Sequence, residues 1–434
     1  MRRCLCICIA ALLLLGGTCR AAVPVVTEAV VSLVDEDGRT LLEGDDLTAL
    51  FEVVPGALFA AGAKGEYRLY DASGALLVDT PFSMIRAEDD WLIFRRDGLY
   101  GAMNLNGAIV VEAEWTQLTL DGAGGFLALQ GSWMDDQPDA VWHIVPGMEP
   151  EQTGVSLIGP LLEVAEDRMP FMTTGGRWGY TDGSGRVAIA AQWRYADAFE
   201  HGVAAVTGEA GKGLIDRDGR IVLETQYAWM GRCESYIAAL DHEGRLSVWT
   251  PDAKKRLFTV NCASAEQVGE AIAVTDADAV RLYRADGTLI CKAPPHTRFI
   301  EGTDGQFIVV DGEWGERCQR LMDVDGRFLT GRYQRIMPIC RDRYAWMEMA
   351  GVTYYSADLD SLRTSWDYGS IRYGLMDGAG NELLPPRFLE IRAVSEDRLL
   401  LIGEESIVLA DPDGRTVREW VTVEDEAPSG EESA

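Results

Sequence analysis

The sequence predicts an all-β protein made of tandem three-to-four-stranded antiparallel units, and three observations carry that prediction. An Asp-x-x-Gly turn recurs between short aliphatic runs about every ~38 residues, a period typical of repeat architectures. An aromatic residue stands eight places after several of the turn glycines. Apolar residues fall in strand-length stretches, and helical periodicity is scarce along the 434 residues.

Arg2 and Arg3 precede an apolar run, Leu5 to Leu15, which Cys19-Arg20-Ala21-Ala22 follows. This is the layout of a secretion signal, and the run is too short to span a bilayer comfortably, so removal is expected. A lipid on Cys19 is the alternative, although Thr18 directly before it fits poorly. The expected organisation is a signal over 1–22, a repeat domain over 23–423 of about eleven units, and an acidic tail over 424–434. That tail (EDEAPSGEESA) has almost nothing to bury and reads as disordered.

The turn positions are Gly38, Gly74, Gly107, Gly185, Gly219, Gly287, Gly326, Gly380 and Gly414, with weaker units around Gly147 and Ala253. Asp stands three residues before the glycine as Asp35, Asp71, Asp182, Asp216, Asp323, Asp377 and Asp411, and Asn104 replaces it once. Asp opens such a turn by accepting hydrogen bonds from its own backbone, and Gly closes it where φ turns positive. Flanking β-branched and aliphatic runs make each turn a hairpin, most clearly in Tyr100 to Val111, Lys212 to Leu223 and Tyr373 to Leu384.

The aromatic at the eighth place is Phe82, Trp115, Trp193, Tyr227 or Phe388, with Tyr333 one place early. A large ring at a fixed point per unit is expected to pack between neighbouring units. A third apolar strand precedes each hairpin, for example Trp91 to Phe94 and Val203 to Val206. A short fourth is expected in segments such as Phe388 to Val394.

Gly176 to Val206 combines Gly-x-Trp-Gly-Tyr-x-Asp-x-x-Gly with a following aromatic and Phe-x-x-Gly-x-Ala-x-Val. This stretch resembles the WG-containing β-repeat family of bacterial proteins. Tyr100-Gly101, Lys212-Gly213 and Tyr373-Gly374 carry worn forms of the Trp178-Gly179 dipeptide, and Trp314-Gly315 repeats it with extra residues before Asp323. The resemblance implies a repetitive β fold, often exported, and supplies no catalytic residues. Hiding the strand edges calls for a β-propeller-like arrangement, as one large ring or two, with an open spiral as the alternative. Residues 131–139 and Gly351 to Tyr373 break the rhythm and read as long loops, where binding most often sits.

A formal charge of −30, or about −33 once Arg2, Arg3 and Arg20 leave with the signal, argues against nucleic acid as a partner. Membrane contact is expected only through the signal or a lipid on Cys19. Cys233, Cys262, Cys291, Cys318 and Cys340 are odd in number and lack CxxC spacing, so they read as small buried residues, with one or two disulfides between units left open. Asp-x-Asp-Gly at Asp35, Asp216, Asp323 and Asp411 lacks the preceding and following ligands of a calcium loop, so turn chemistry accounts for it. His143, His201, His242 and His296 fall in no zinc or nucleophile pattern. No metal, cofactor or catalytic residue is assigned. Acidic pairs such as Asp89-Asp90 and Asp135-Asp136 keep a glycosidase couple open.

Trp115, Trp178 and Trp193 stand at unit-fixed positions and are expected in the core, whereas Trp133, Trp142 and Trp366 are candidates for an exposed stacking surface. The function expected is a non-catalytic exported scaffold that binds a protein, peptide or glycan. A carbohydrate-active propeller enzyme and a cell-envelope assembly component are the alternatives.

Overall fold

The computed structural model describes residues 22–27, 30–35, 37–131, 139–157, 160–311, 318–356 and 361–421. The expected signal (apart from Ala22), Trp133, Asp135, Asp136, Trp314 and the acidic tail lie outside these residues. Within them, regular structure is all β apart from one short 3-10 turn, Tyr368–Ser370.

The strands form antiparallel meanders in which neighbours in sequence are neighbours in the sheet, except that Arg343–Glu348 pairs with Arg372–Asp377 across an inserted hairpin. Met84–Glu88, Trp91–Arg96, Leu99–Asn104 and Ile109–Trp115 are representative. These are four-stranded sheets of the kind that serve as β-propeller blades. The strand expected to be short is full length in several units, as in Glu390–Ser395. The 12-residue strand Ile221–Arg232 ends one meander and begins the next, which fuses two into a seven-stranded sheet.

Hairpin chemistry follows from the turn residues. Asp182 N donates to Arg186 O at 2.8 Å, and Gly185 N donates to Asp182 O at 2.9 Å. Asp182 Oδ1 accepts from Arg186 N at 3.0 Å and from the Ser184 hydroxyl at 2.7 Å. Asp216 and Asp377 each take two backbone N–H groups in the same way, and Asn104 does so through its amide oxygen. At the turn positions named above φ runs from 56° at Ala253 to 89° at Gly287.

Asp182→Ala is therefore expected to cost about 1–2 kcal/mol, the usual loss when a backbone cap is removed, while Asp182→Asn costs less because Asn104 shows that an amide suffices. Burial would raise the Asp182 carboxyl, but hydrogen bonds from the Ser184 hydroxyl and the Arg186 and Ser184 amides outweigh it, so it titrates below its ordinary 3.8. Its contribution is fully present above pH 3.8 and disappears as pH falls through the lower folded value. Thermal midpoints measured across that range should fall less steeply for Asp182→Asn than for the parent.

The glycine of each aromatic–Gly dipeptide meets a different constraint. Trp178 pairs with Trp193 and Tyr180 with Ile189, so two steps along one strand face four along the other. Tyr100/Ala102, Lys212/Leu214 and Tyr373/Leu375 show the same bulge opposite their partners. The bulged strand folds over the glycine. A Cβ on Gly179 would lie 2.6 Å from Ile189 O, and one on Gly213 2.5 Å from Leu223 O. Gly101 and Gly374 are each 2.7 Å from the matching carbonyl. In Glu66–Asp71 the position is Arg68, whose Nε donates to the bulge carbonyl of Asp79 at 3.0 Å.

The aromatics at the eighth place do pack against the next sheet. Phe82 meets Phe94 at 5.2 Å between ring centroids and Trp115 meets Trp142 at 5.8 Å. Trp193 and Phe388 are buried, and Tyr227 is half-buried against Trp249 at 5.9 Å. Buried tyrosines join adjacent sheets by their hydroxyls: Tyr180 donates to Asp197 O at 2.8 Å and Tyr236 to Ala271 O at 2.9 Å.

The described residues divide into two compact units, one within residues 45–276 with 283–288, the other within residues 22–44, 277–282 and 289–421. Inside the second, the N-terminal strands Val23–Val26, Val31–Val34 and Thr40–Leu42 pack on the C-terminal sheet. Val23, Val25 and Val34 share an apolar cluster with Leu400, Ile407 and Leu409. Arg418 Nη1 donates to Gly38 O at 2.7 Å and to Thr40 Oγ1 at 2.8 Å, and Arg392 donates to Val26 O.

One expectation needs correction. Gly351 to Tyr373 is not a long irregular loop: Gly351–Ser356 and Ser361–Trp366 pair as a two-stranded hairpin. The β-branched and aromatic residues Val352, Thr353, Tyr354 and Tyr355 suit a strand, and that preference outweighs the stretch's Ser and Asp content.

Candidate binding surface

Each meander has two ends. One carries the Asp-x-x-Gly hairpins; the other carries the connection between second and third strands and the link to the next sheet. The aromatic of the dipeptide opens the third strand at this second end, paired with the aromatic that closes the fourth. The closing ring is buried in Phe82, Trp115, Trp193 and Phe388, while the opening ring stays half-buried in Tyr67, Tyr100, Trp178 and Tyr373.

The Trp178 position is the most developed of these. Its ring lies 5.3 Å from that of Tyr195, tilted by 58°, and Tyr195 remains 48% exposed. The bulge and Gly179 fix the backbone beneath, and Tyr180 stacks edge-on to Phe199 at 4.9 Å to anchor the strand. Two guanidiniums flank the pair. Arg177 Nη1 donates to Glu209 Oε1 at 2.9 Å, and Arg194 donates to Glu209 Oε2. These bonds, Arg194 first and Arg177 second, hold the Glu209 carboxyl below its usual range. The negative charge of Asp197 and partial burial push the Tyr195 hydroxyl up, so it stays a neutral donor at ordinary pH. The result is an exposed aromatic ring, its hydroxyl bonded to Asp197, near two arginines that share Glu209, an arrangement suited to stacking and hydrogen bonding.

Further along the chain at this end, Glu243, Gly244, Arg245, Asn261, Cys262 and Asp276 line a shallow open hollow of about 480 Å³. Among the described residues no group of three or more His, Cys, Asp or Glu side chains is arranged to hold a metal. Cys233, Cys262, Cys291, Cys318 and Cys340 are unpaired. Burial pushes the Cys291 thiol up to about 11 and raises Cys233, Cys262 and Cys340 as well, which keeps them poorly nucleophilic.

The candidates named from sequence are scattered. Trp142 lies in Asp139–Ile144, half-buried against Trp115, so part of its ring packs between two sheets. Trp366 ends the added hairpin, and its side chain lies outside those described, as does Trp133. His143 Nε2 sits 2.9 Å from Asp121 Oδ2, whose other oxygen accepts from Ala123 N and Gly125 N at a turn. Exposed His242 lies 3.2 Å from Ala210 O, and His201 occupies a turn with φ 55°. Asp89, beside Asp90, also turns at φ 49°. Tyr195, Arg177, Arg194 and Glu209 went unnoticed because nothing in their spacing marks them. The available signal was Tyr195 itself, a second aromatic two places beyond Trp193.

Residues 178–207 match the family model described as WG containing repeat. No curated protein matches the chain. Among solved structures it is similar to BamB from Moraxella catarrhalis at 14% identity and a TM-score of 0.30, covering 66% of this chain and 96% of that one. The computationally designed Ika8 protein is similar at 14% identity and a TM-score of 0.30, covering 64% and 98%. Hsv2 from Kluyvelomyces marxianus is similar at 9% identity and a TM-score of 0.30, covering 58% and 96%.

Proposed function

We propose that the protein is a non-catalytic, exported bacterial β-repeat scaffold that binds a protein, peptide or glycan through the strand-opening end of its sheets. The observation that supports this most is the exposed Tyr195 ring packed on Trp178 and flanked by Arg177 and Arg194. A tilted aromatic pair on a strand fixed by a bulge offers contact area at little ordering cost. The shallow, open form of the neighbouring hollow favours a surface binder over an enzyme, whose paired carboxylates would stand ~5–10 Å apart in a pocket. The export part of the proposal rests on the residues before Val23 and on the resemblance stated above.

Tyr195→Ala is the direct test. Mature protein offered an array of oligosaccharides and peptides should show a bound class that weakens about tenfold or more in the variant, as for loss of a central aromatic contact. The thermal midpoint should fall only slightly, since the ring is half exposed and gives up one aromatic contact, with Trp178. Turnover of an arrayed glycan or peptide, abolished by a single carboxylate substitution, would replace the scaffold with an enzyme.

A further inference from the structure

We propose that the free edge of the strand Val187–Trp193 accepts an extended peptide segment of a partner protein as an added antiparallel strand. This deepens the scaffold reading and rests on it. Val187–Trp193 closes the three-stranded sheet of Met169–Met172 and Trp178–Thr181, and no described strand pairs with its outer side. An unpaired strand edge is a template for another chain, and folded proteins normally guard such edges with charge or proline.

The other units show what a guard looks like here. Counting five residues from the turn glycine, the closing strands carry Asp79, Glu112, Glu224, Lys292 and Glu419, and Pro385 in one more; the two weaker units have Gln152 and Phe258 there and carry their charge elsewhere in the strand, at Glu151 and Arg256. The same place in Val187–Trp193 is Ala190, and the whole strand, VAIAAQW, contains no charge and no proline. Every other sheet-edge closing strand longer than three residues among those described has at least one charged residue. The bulge alone does not serve as the guard, because strands such as Ile109–Trp115 have both the bulge and the charge. Val187 is 54% exposed, and Ala188, Ala190 and Gln192 are exposed beside it. These small side chains leave room for an incoming backbone. At the far end Arg177 Nη1 reaches Gln192 O at only 3.4 Å.

Charge selects the occupant. Arg186 and Arg194 bracket the strand, so a second copy would set arginine against arginine, whereas a segment with a neutral β-branched centre and an acidic residue at each end is drawn in. Main-chain hydrogen bonds then supply affinity, and alternate side chains supply selectivity.

The test uses the full mature chain and the capped synthetic peptide Glu-Val-Thr-Val-Thr-Val-Glu. Amide hydrogen exchange over 187–193 should slow by about tenfold or more on adding the peptide. The slowing should vanish in Ala190→Glu, which keeps the parent's thermal midpoint because Glu112 and Glu224 occupy the matching places. Absence of slowing at 187–193, equal slowing at Ile109–Trp115, or persistence in Ala190→Glu overturns the proposal. Protection that rises with protein concentration without peptide also overturns it, in favour of a second copy. Ligand binding that depends on Tyr195 while 187–193 is untouched removes strand addition and leaves the scaffold standing; loss of both removes both.

Discussion

Gly185→Val is expected to destabilise the fold by about 2–6 kcal/mol, well beyond an ordinary point substitution. Two separate costs add. The residue sits at φ +78°, where a β-branched side chain is a strong outlier. Its Cβ would also fall 2.6 Å from Thr153 Cγ2 and 3.2 Å from Leu127 Cδ2, in the preceding sheet. Gly219→Val, at φ +81° with Ile189 Cγ2 at 3.0 Å, should cost less because one flexible side chain can yield. Gly176→Val isolates the backbone term, since φ is +68° and nothing lies within 4 Å. Denaturant unfolding should rank the losses 185, 219, 176. If Gly185→Val were no worse than Gly176→Val, the hairpin tip would not be resting on the sheet before it.

The second large effect concerns the N-terminal strands. A chain lacking residues 23–42 leaves Leu400, Ile407 and Leu409 facing water where Val23, Val25 and Val34 had covered them. Each fully buried aliphatic side chain contributes on the order of 1.5–3 kcal/mol, so the loss should reach about 5 kcal/mol or more. The unit that contains the C-terminal sheet should then unfold at a lower temperature and bind an apolar dye. Arg418→Ala, which removes the bonds to Gly38 and Thr40 and the guanidinium over the Trp420 ring, should cost about 1–2 kcal/mol in the same assay. An unchanged transition after the deletion would mean that the docking contributes nothing to stability.

The fold class was legible because its determinants are local. Asp182, Gly185 and their counterparts specify a hairpin within five residues, and the ring at the eighth place records where the next sheet lies. Interactions that join distant parts of the chain leave no such mark. Arg392 and Arg418 bond to residues 366 and 380 positions away, and neither contact has a spacing to read. The added hairpin over Gly351–Ser356 and Ser361–Trp366 was hidden because it lacks the Asp-x-x-Gly signature of the repeats. The half-buried packing of Trp142 on Trp115 likewise joins two sheets and has no spacing to read. The Tyr195 surface depends on how two turns bring Arg177, Arg194 and Glu209 together, which only three-dimensional structure shows. Ala190, by contrast, was visible in the sequence, since aligning units on their turn glycines exposes the missing charge.

Ile221–Arg232 serves two meanders at once, with Lys212–Asp216 bonded along its first half and Ile237–Asp241 along its second. One uninterrupted strand thus joins two repeats where other pairs are joined through a single intervening residue, such as Ser83, Thr116, Arg194 or Leu389, whose amide bonds into the next sheet. Melting of one partner should fray the other along this strand, so native-state amide exchange is expected to couple these two repeats more tightly than their neighbours. A swap of individual repeats would be tolerated elsewhere sooner than here, because no seam exists between these two.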